Sequence, residues 1–276
     1  MEIACDESGH EGEKLAGGVT DVFAHASVHL TVAEADEVVA ELRRRIRSPA
    51  QEYKANHLLR EKHRAVLVRF LGPDGPLPGR ARVLLVDKGL LLVRELVGAL
   101  APGGPADDLH ALGRAGDPAA WAAFLLAANA LLRGRDADLA SAARALPTRT
   151  GGAGGPVTAL LDRLVAAPRP PAPVPLDPLV PAIVLAVARW GATSVVHDRQ
   201  TVLGEAQVAA LRARTGAVVR LVSSRADARV QVADFVAGTA RRIASDALAG
   251  RGDAELRALV EPYVDPDSVR ARPVRP

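Results

Sequence analysis

The chain has 276 residues, a formal net charge of +3 and 49% hydrophobic residues. That suffices for a substantial core in one large domain or a domain with a sizeable insertion. No uncharged apolar run approaches the roughly 18 residues of a membrane span. The acids near the N-terminus stand where a secretory signal needs positive charge, so a cytoplasmic protein is expected. The single Cys5 excludes an intramolecular disulfide, and its place in the apolar run Ile3-Ala4-Cys5 suits an inert buried thiol. The positive charge is carried mostly by arginine. Aromatics at 3% argue against a protein that stacks successive bases on a row of rings.

The first apolar run reads as a strand ending at Asp6-Glu7-Ser8-Gly9, which puts an acidic pair at a strand-to-loop junction. After a loop over 12–18, residues 19–30 read as a second strand, with Val22, Ala24, Ala26, Val28 and Leu30 in alternation, paired antiparallel with the first. Thr31-Val32-Ala33-Glu34 has capping-box spacing and opens a helix with Val32, Ala35, Val39, Leu42 and Ile46 on one face. Ser48-Pro49 marks a boundary, Glu52-Tyr53-Lys54 follows, and a helix is predicted over 57–71. Val83 to Val86 reads as a buried strand ending at Asp87-Lys88, with a helix over 90–100 after it.

From 102 to 178 the pattern changes to short helical patches, 118–132 and 137–146, separated by Gly and Pro. This segment reads as a helical insertion or cap. Helix 179–190, strand 193–197, helix 203–214, strand 218–222 and helix 230–249 then restore an α/β alternation. A short helix near 254–263 and a frayed Pro/Arg-rich tail, 265–276, complete the chain. The expected organisation is a core in two parts, 1–101 and 179–264, interrupted by 102–178 and followed by the tail.

Three acids stand where open α/β sheets gather ligands, at strand ends or on a helix beside them. Asp6 ends the first strand, though it also suits a tight turn with Ser8 and Gly9. Asp198 ends Val195-Val196-His197, or else caps the following helix. Asp234 interrupts an apolar helical run, where an ionised carboxylate needs a partner: an ion, or an arginine. Gln231 and Asp227 share its helix face. Glu52 is a fourth candidate and Lys54 a phosphate contact, although both also fit a solvated helix start. Glu7 points away from Asp6; with Ser8, His197 and Gln231 it belongs to the supporting residues. Lys88 is a reserve substrate contact. Carboxylates without Cys or paired His suit Mg²⁺ or Mn²⁺, and two such ions suit phosphoryl transfer. No P-loop, Cys-x-x-Cys or His-Glu-x-x-His motif occurs. His10, His25 and His29 are close in sequence and offer a second, weaker metal cluster.

Together these residues resemble the bacterial domain of unknown function 3800 family. The likeness rests on Asp6-Glu7-Ser8-Gly9, Val196-His197-Asp198-Arg199, the helix block Val230 to Gly238, and the weaker Glu52-x-Lys54 element. The resemblance implies a ribonuclease H-like mixed sheet flanked by helices. It also implies Asp6, Asp198, Asp234 and Glu52 as metal ligands, and a nuclease or related phosphodiesterase acting on DNA or RNA. The long Pro/Gly-rich insertion departs from the family pattern. A nuclease-like binding module and a nucleotide phosphohydrolase are the alternatives; oligomeric state is left open.

Overall fold

A computed structural model describes residues 1–47, 53–146 and 155–271. The protein is α/β, with a five-stranded mixed sheet flanked by helices, and divides into two compact units. The first unit comprises Met1–His10, Val22–Leu85 and Pro178–Ser268. Its sheet has the order β3-β2-β1-β4-β5, with β1 Glu2–Ser8, β2 Val22–Val28, β3 Ala81–Asp87, β4 Ser194–Asp198 and β5 Val218–Val222. β1 runs antiparallel to β2 and parallel to β4, and β4 runs parallel to β5.

β1 is longer than its apolar run suggests, so Asp6 and Glu7 lie within the strand, not after it. The register pairs Asp6 with Ala26, Glu7 with His25 and Cys5 with His197. Alternation then assigns the faces. Ala4, Ala24, Ala26, Val28 and Val196 join one core with helix α1, Val32–Ile46, and helix α11, Ala228–Leu248. Helix α9, Leu179–Trp190, packs against β1 and β2, its terminal indole donating to Ser27 Oγ of the other face at 2.9 Å.

Helix α1 begins at the expected capping box: Thr31 Oγ1 accepts from Glu34 N–H, and the Glu34 carboxylate accepts from Thr31 N–H. Ala35, Val39, Leu42 and Ile46 are buried, whereas Val32 in the first turn is half exposed. The helix expected over 57–71 is broken into α2 Ala55–Leu58, a 3-10 turn Glu61–His63 and α3 Arg64–Leu71. Helix α10, Glu205–Thr215, joins β4 to β5, and α12, Ala254–Val260, precedes a second 3-10 turn. The start of the supposed frayed tail is ordered. Asp265 is buried, its N–H donates to Val83 O and its carboxylate pairs with Arg189. A backbone that finds such partners does not fray.

The second unit contains Glu11–Asp21, Val86–Asp177 and the described residues from Val269. Its helices are α4 Lys88–Leu100, α5 Ala106–Ala115, α6 Pro118–Leu132, α7 Leu139–Arg144 and α8 Pro156–Ala166. It begins earlier than residue 102 because α4 buries Leu92, Val93, Leu96 and Val97 among Trp121, Phe124, Leu132 and Leu160. Leu15 and Ala16 of the early loop join the same core. α5 and α8 escaped the sequence reading, their short apolar stripes being interrupted by Gly and Pro. No helix among the described residues is long and apolar enough to cross a membrane.

Candidate functional site

Asp6 and Asp198 occupy the C-terminal ends of neighbouring parallel strands. Cys5 pairs with His197, so the next residues of each strand, Asp6 and Asp198, stay in step and project to the α11 face. Asp234 arrives on α11, which packs on β1, β2 and β4. Asp6 is buried at 3% exposure. Its carboxyl is pushed well above the usual range, first by burial and then by the charges of Glu7, Asp234 and Asp198. Acids separated by almost the whole chain therefore act on one another. The Glu7 N–H, donating to Asp6 Oδ1 at 2.8 Å, works in the opposite direction.

Each outer carboxylate is held by backbone. Asp198 Oδ1 accepts from Ser224 N–H at 2.9 Å, and Gln231 Nε2 donates to Ser224 O at 2.9 Å. Gln231 thus holds the turn that holds Asp198. Asp198 caps no helix, since Gly204 stands at the N-cap of α10. Asp234 Oδ2 accepts from Ala55 N–H at 3.2 Å, and Lys54 Nζ lies 3.8 Å from Asp234 Oδ1. Asp234 therefore has a lysine and a backbone amide among its partners. The α2 approach depends on Gly238: a Cβ there would stand 2.3 Å from Ala55 Cβ. Arg241, two turns beyond Asp234, donates from Nε to Ser8 Oγ at 2.9 Å. Sequence reasoning missed Ser224, Ala55 and Arg241. Only the seven-residue spacing of Asp234 and Arg241 on one helix face hinted at any of them.

Glu7 and His197 belong to the opposite face of the sheet. Glu7 is not solvated: its side chain is 6% exposed, and its Oε2 lies 3.9 Å from His197 Nε2. Burial raises its pKa, His10 opposes the rise and Asp198 adds to it. His197 Nδ1 is 2.8 Å from Asp198 O, and its ring stacks on His25 at 5.4 Å. Burial lowers His197 to about 4 and also lowers His25, so both rings are neutral near pH 7. Among the described residues, His10, His25 and His29 form no group that could hold a metal ion. His25 meets His197, His29 meets Trp190 and His10 meets Phe23.

Lys88 is no substrate contact. It belongs to the second unit, is 1% exposed, and donates to Glu11 Oε2 at 2.5 Å and Thr20 Oγ1 at 2.8 Å. A buried ammonium must be paired, and this one closes the 11–21 loop. Despite partial burial, the Lys88 bond and the Val19 N–H hold Glu11 down to about 2. Asp87, beside it, caps α4 through Leu90 N–H and lies 3.4 Å from His110.

Among the described residues, no group of three or more His, Cys, Asp or Glu side chains is placed to hold a metal ion. Glu52 lies outside the described residues. What Asp6, Asp198 and Asp234 supply is a concentration of negative charge around a buried carboxyl. All-oxygen donors of that kind suit a hard divalent cation.

The fold and site define an α/β protein with acids gathered at the ends of parallel strands. No family model matches the chain, and no curated protein matches it. A chain from the structure of the PCNA:RNase HII complex of Archaeoglobus fulgidus aligns with a TM-score of 0.43 at 11% identity. The alignment covers 100% of this chain and 96% of that one. At that level the likeness carries no weight for site or substrate.

Proposed function

We propose that the protein is a divalent-metal-dependent nuclease or related phosphodiesterase. The observation that carries this reading is the buried carboxyl of Asp6, raised by burial and by Glu7, Asp234 and Asp198. Such an arrangement is costly for the apo protein and is relieved by a cation. Asp6, Asp198 and Asp234 would hold Mg²⁺ or Mn²⁺, with Glu52 as a further ligand in the family pattern. When bound, the ion supplies charge neutralisation at phosphorus and an acidified water. The chain's own residues do the rest. Ser224 and Gln231 fix Asp198, Ala55 fixes Asp234, and Lys54 stands beside Asp234 where a phosphate oxygen would need a cation. The mixed sheet flanked by helices is the architecture implied by the resemblance to the domain of unknown function 3800 family. We include that membership, and its ribonuclease H-like fold, in the proposal.

The test is cleavage of single- and double-stranded DNA and RNA with Mg²⁺ or Mn²⁺, run beside Asp6→Asn and Asp198→Asn. Metal-dependent cleavage lost in both variants supports the reading. Cleavage that persists in Asp6→Asn, or in EDTA, rejects it. Binding without cleavage would instead assign a binding module, and turnover of nucleotides alone a phosphohydrolase.

A further inference from the structure

Beyond Asp234, α11 continues as one wall of a cavity of about 400 Å³, a size that accommodates small ligands. The cavity lies wholly within the first unit, between α2, α3, α11 and α12. Its floor is apolar, with Leu58, Leu67 and Ile243 buried and Leu256 partly so. Its rim carries Arg60, Arg64, Arg242 and Arg251 against the acids Glu61, Asp246 and Asp253. Three of these arginines are fixed by the acids: Arg242 Nε to Asp246 at 2.6 Å, Arg251 to Asp246 at 3.0 Å and Arg64 to Asp253 at 2.6 Å. A guanidinium has five N–H donors, so pairing orients these groups and leaves donors over. Arg60 is exposed and enters no ion pair among the described residues.

An apolar floor under oriented guanidiniums is the chemistry that takes a base and its phosphate together. Two of the helices that build the cavity, α2 and α11, also bring Ala55 and Asp234 together. Asp234 and Arg242 are eight residues apart on α11, about 12 Å along its axis. That is about three to four nucleotide steps at the ~3.4 Å rise of a helical strand.

We propose that this cavity is a subsite for single-stranded nucleic acid, holding one nucleotide of a strand whose scissile phosphate lies at the carboxylate cluster. The inference rests on the nuclease reading and sharpens it: the substrate is a polymer, not a mononucleotide. The cavity gives length dependence, because only a strand that spans both places is held at the cavity and at the ion-bearing carboxylates together.

Binding is measured by fluorescence anisotropy with Ca²⁺ in place of Mg²⁺ or Mn²⁺, so that the carboxylates carry a cation while cleavage is suppressed. The probes are labelled oligo(dT) and oligo(U) of two, four, eight and twelve nucleotides, with a labelled mononucleotide as comparison. Wild-type affinity is expected to step up between two and about four nucleotides for either oligo(dT) or oligo(U). Arg60→Glu, at an exposed position, should remove the step, weakening four-nucleotide binding by about tenfold and reducing the salt slope by about one or more. Arg251→Ala, whose side chain is 68% exposed, provides a second variant, with a smaller loss in the same direction. Thermal melts confirm that both fold. Equal binding by wild type and Arg60→Glu at every length overturns the subsite. So does a mononucleotide held as tightly as the twelve-nucleotide strand, or no binding at any length. Failure of the nuclease reading shows separately, as absent cleavage with the length step intact.

Discussion

Asp6 concentrates the chemistry of the site in one carboxyl. Its pKa in the folded protein lies above the ordinary 3.8, so the folded state binds more protons than the unfolded state above that pH. Stability therefore falls as pH rises through the window between the two values. Asp6→Asn removes that dependence. In EDTA at pH 8 its melting temperature should exceed that of the wild type by about 3 °C or more, since roughly 1 kcal/mol moves a protein of this size by a few degrees. Mn²⁺ should then raise the wild-type melting temperature and leave the variant's unchanged; equal shifts would show that the cation binds elsewhere. The buried imidazoles act in a lower window. His197, at about 4, and His25 lie below 6.5, so the unfolded state binds the extra protons and stability falls on acidification from 6.5 toward 4. His25→Leu should flatten the melting-temperature profile over that range, and an unaltered profile would mean that His25 is protonated in the fold.

Between elements, the decisive contact is the close approach of α2 to α11 at Gly238. A larger residue there meets Ala55 Cβ, which belongs to a helix backbone and has little room to yield. Gly238→Val is expected to cost about 1–3 kcal/mol by overpacking. It should also withdraw Ala55 N–H from Asp234, so cleavage should fall by at least about tenfold while a folded, Mn²⁺-binding protein remains. Full activity in Gly238→Val would show that α2 is not needed to set Asp234. Gly238 stood in the sequence as the end of the helix block that begins at Val230. Its partner was not legible there, because the apolar pattern over 57–71 hid the break that separates α2 from α3.

Among the described residues, two apolar cores form, one between the sheet and α1 and α11, the other among α4 to α8 and the 11–21 loop. Phe124 is fully buried in the second. Phe124→Ala should destabilise by about 3–5 kcal/mol. If the units hold their own stability, hydrogen exchange will accelerate in α4 and α6 while β1, β4 and the centre of α11 stay protected. Uniform acceleration would identify a single cooperative structure instead.

Much of this protein is local and was legible. The period of two along β2 and the capping box of α1 each follow from neighbouring residues. The opposite facing of Asp6 and Glu7 follows from the same alternation. What the sequence left undecided depended on partners far along the chain. Lys88 is buried because Glu11 and Thr20 receive its ammonium, and Asp265 is ordered because Val83 and Arg189 meet it. Asp198 is set by a turn that Gln231 holds. Side-chain pattern encodes which face is apolar, but the fate of a charge depends on what surrounds it. Only the folded chain supplies those surroundings, through contacts between residues distant in the sequence.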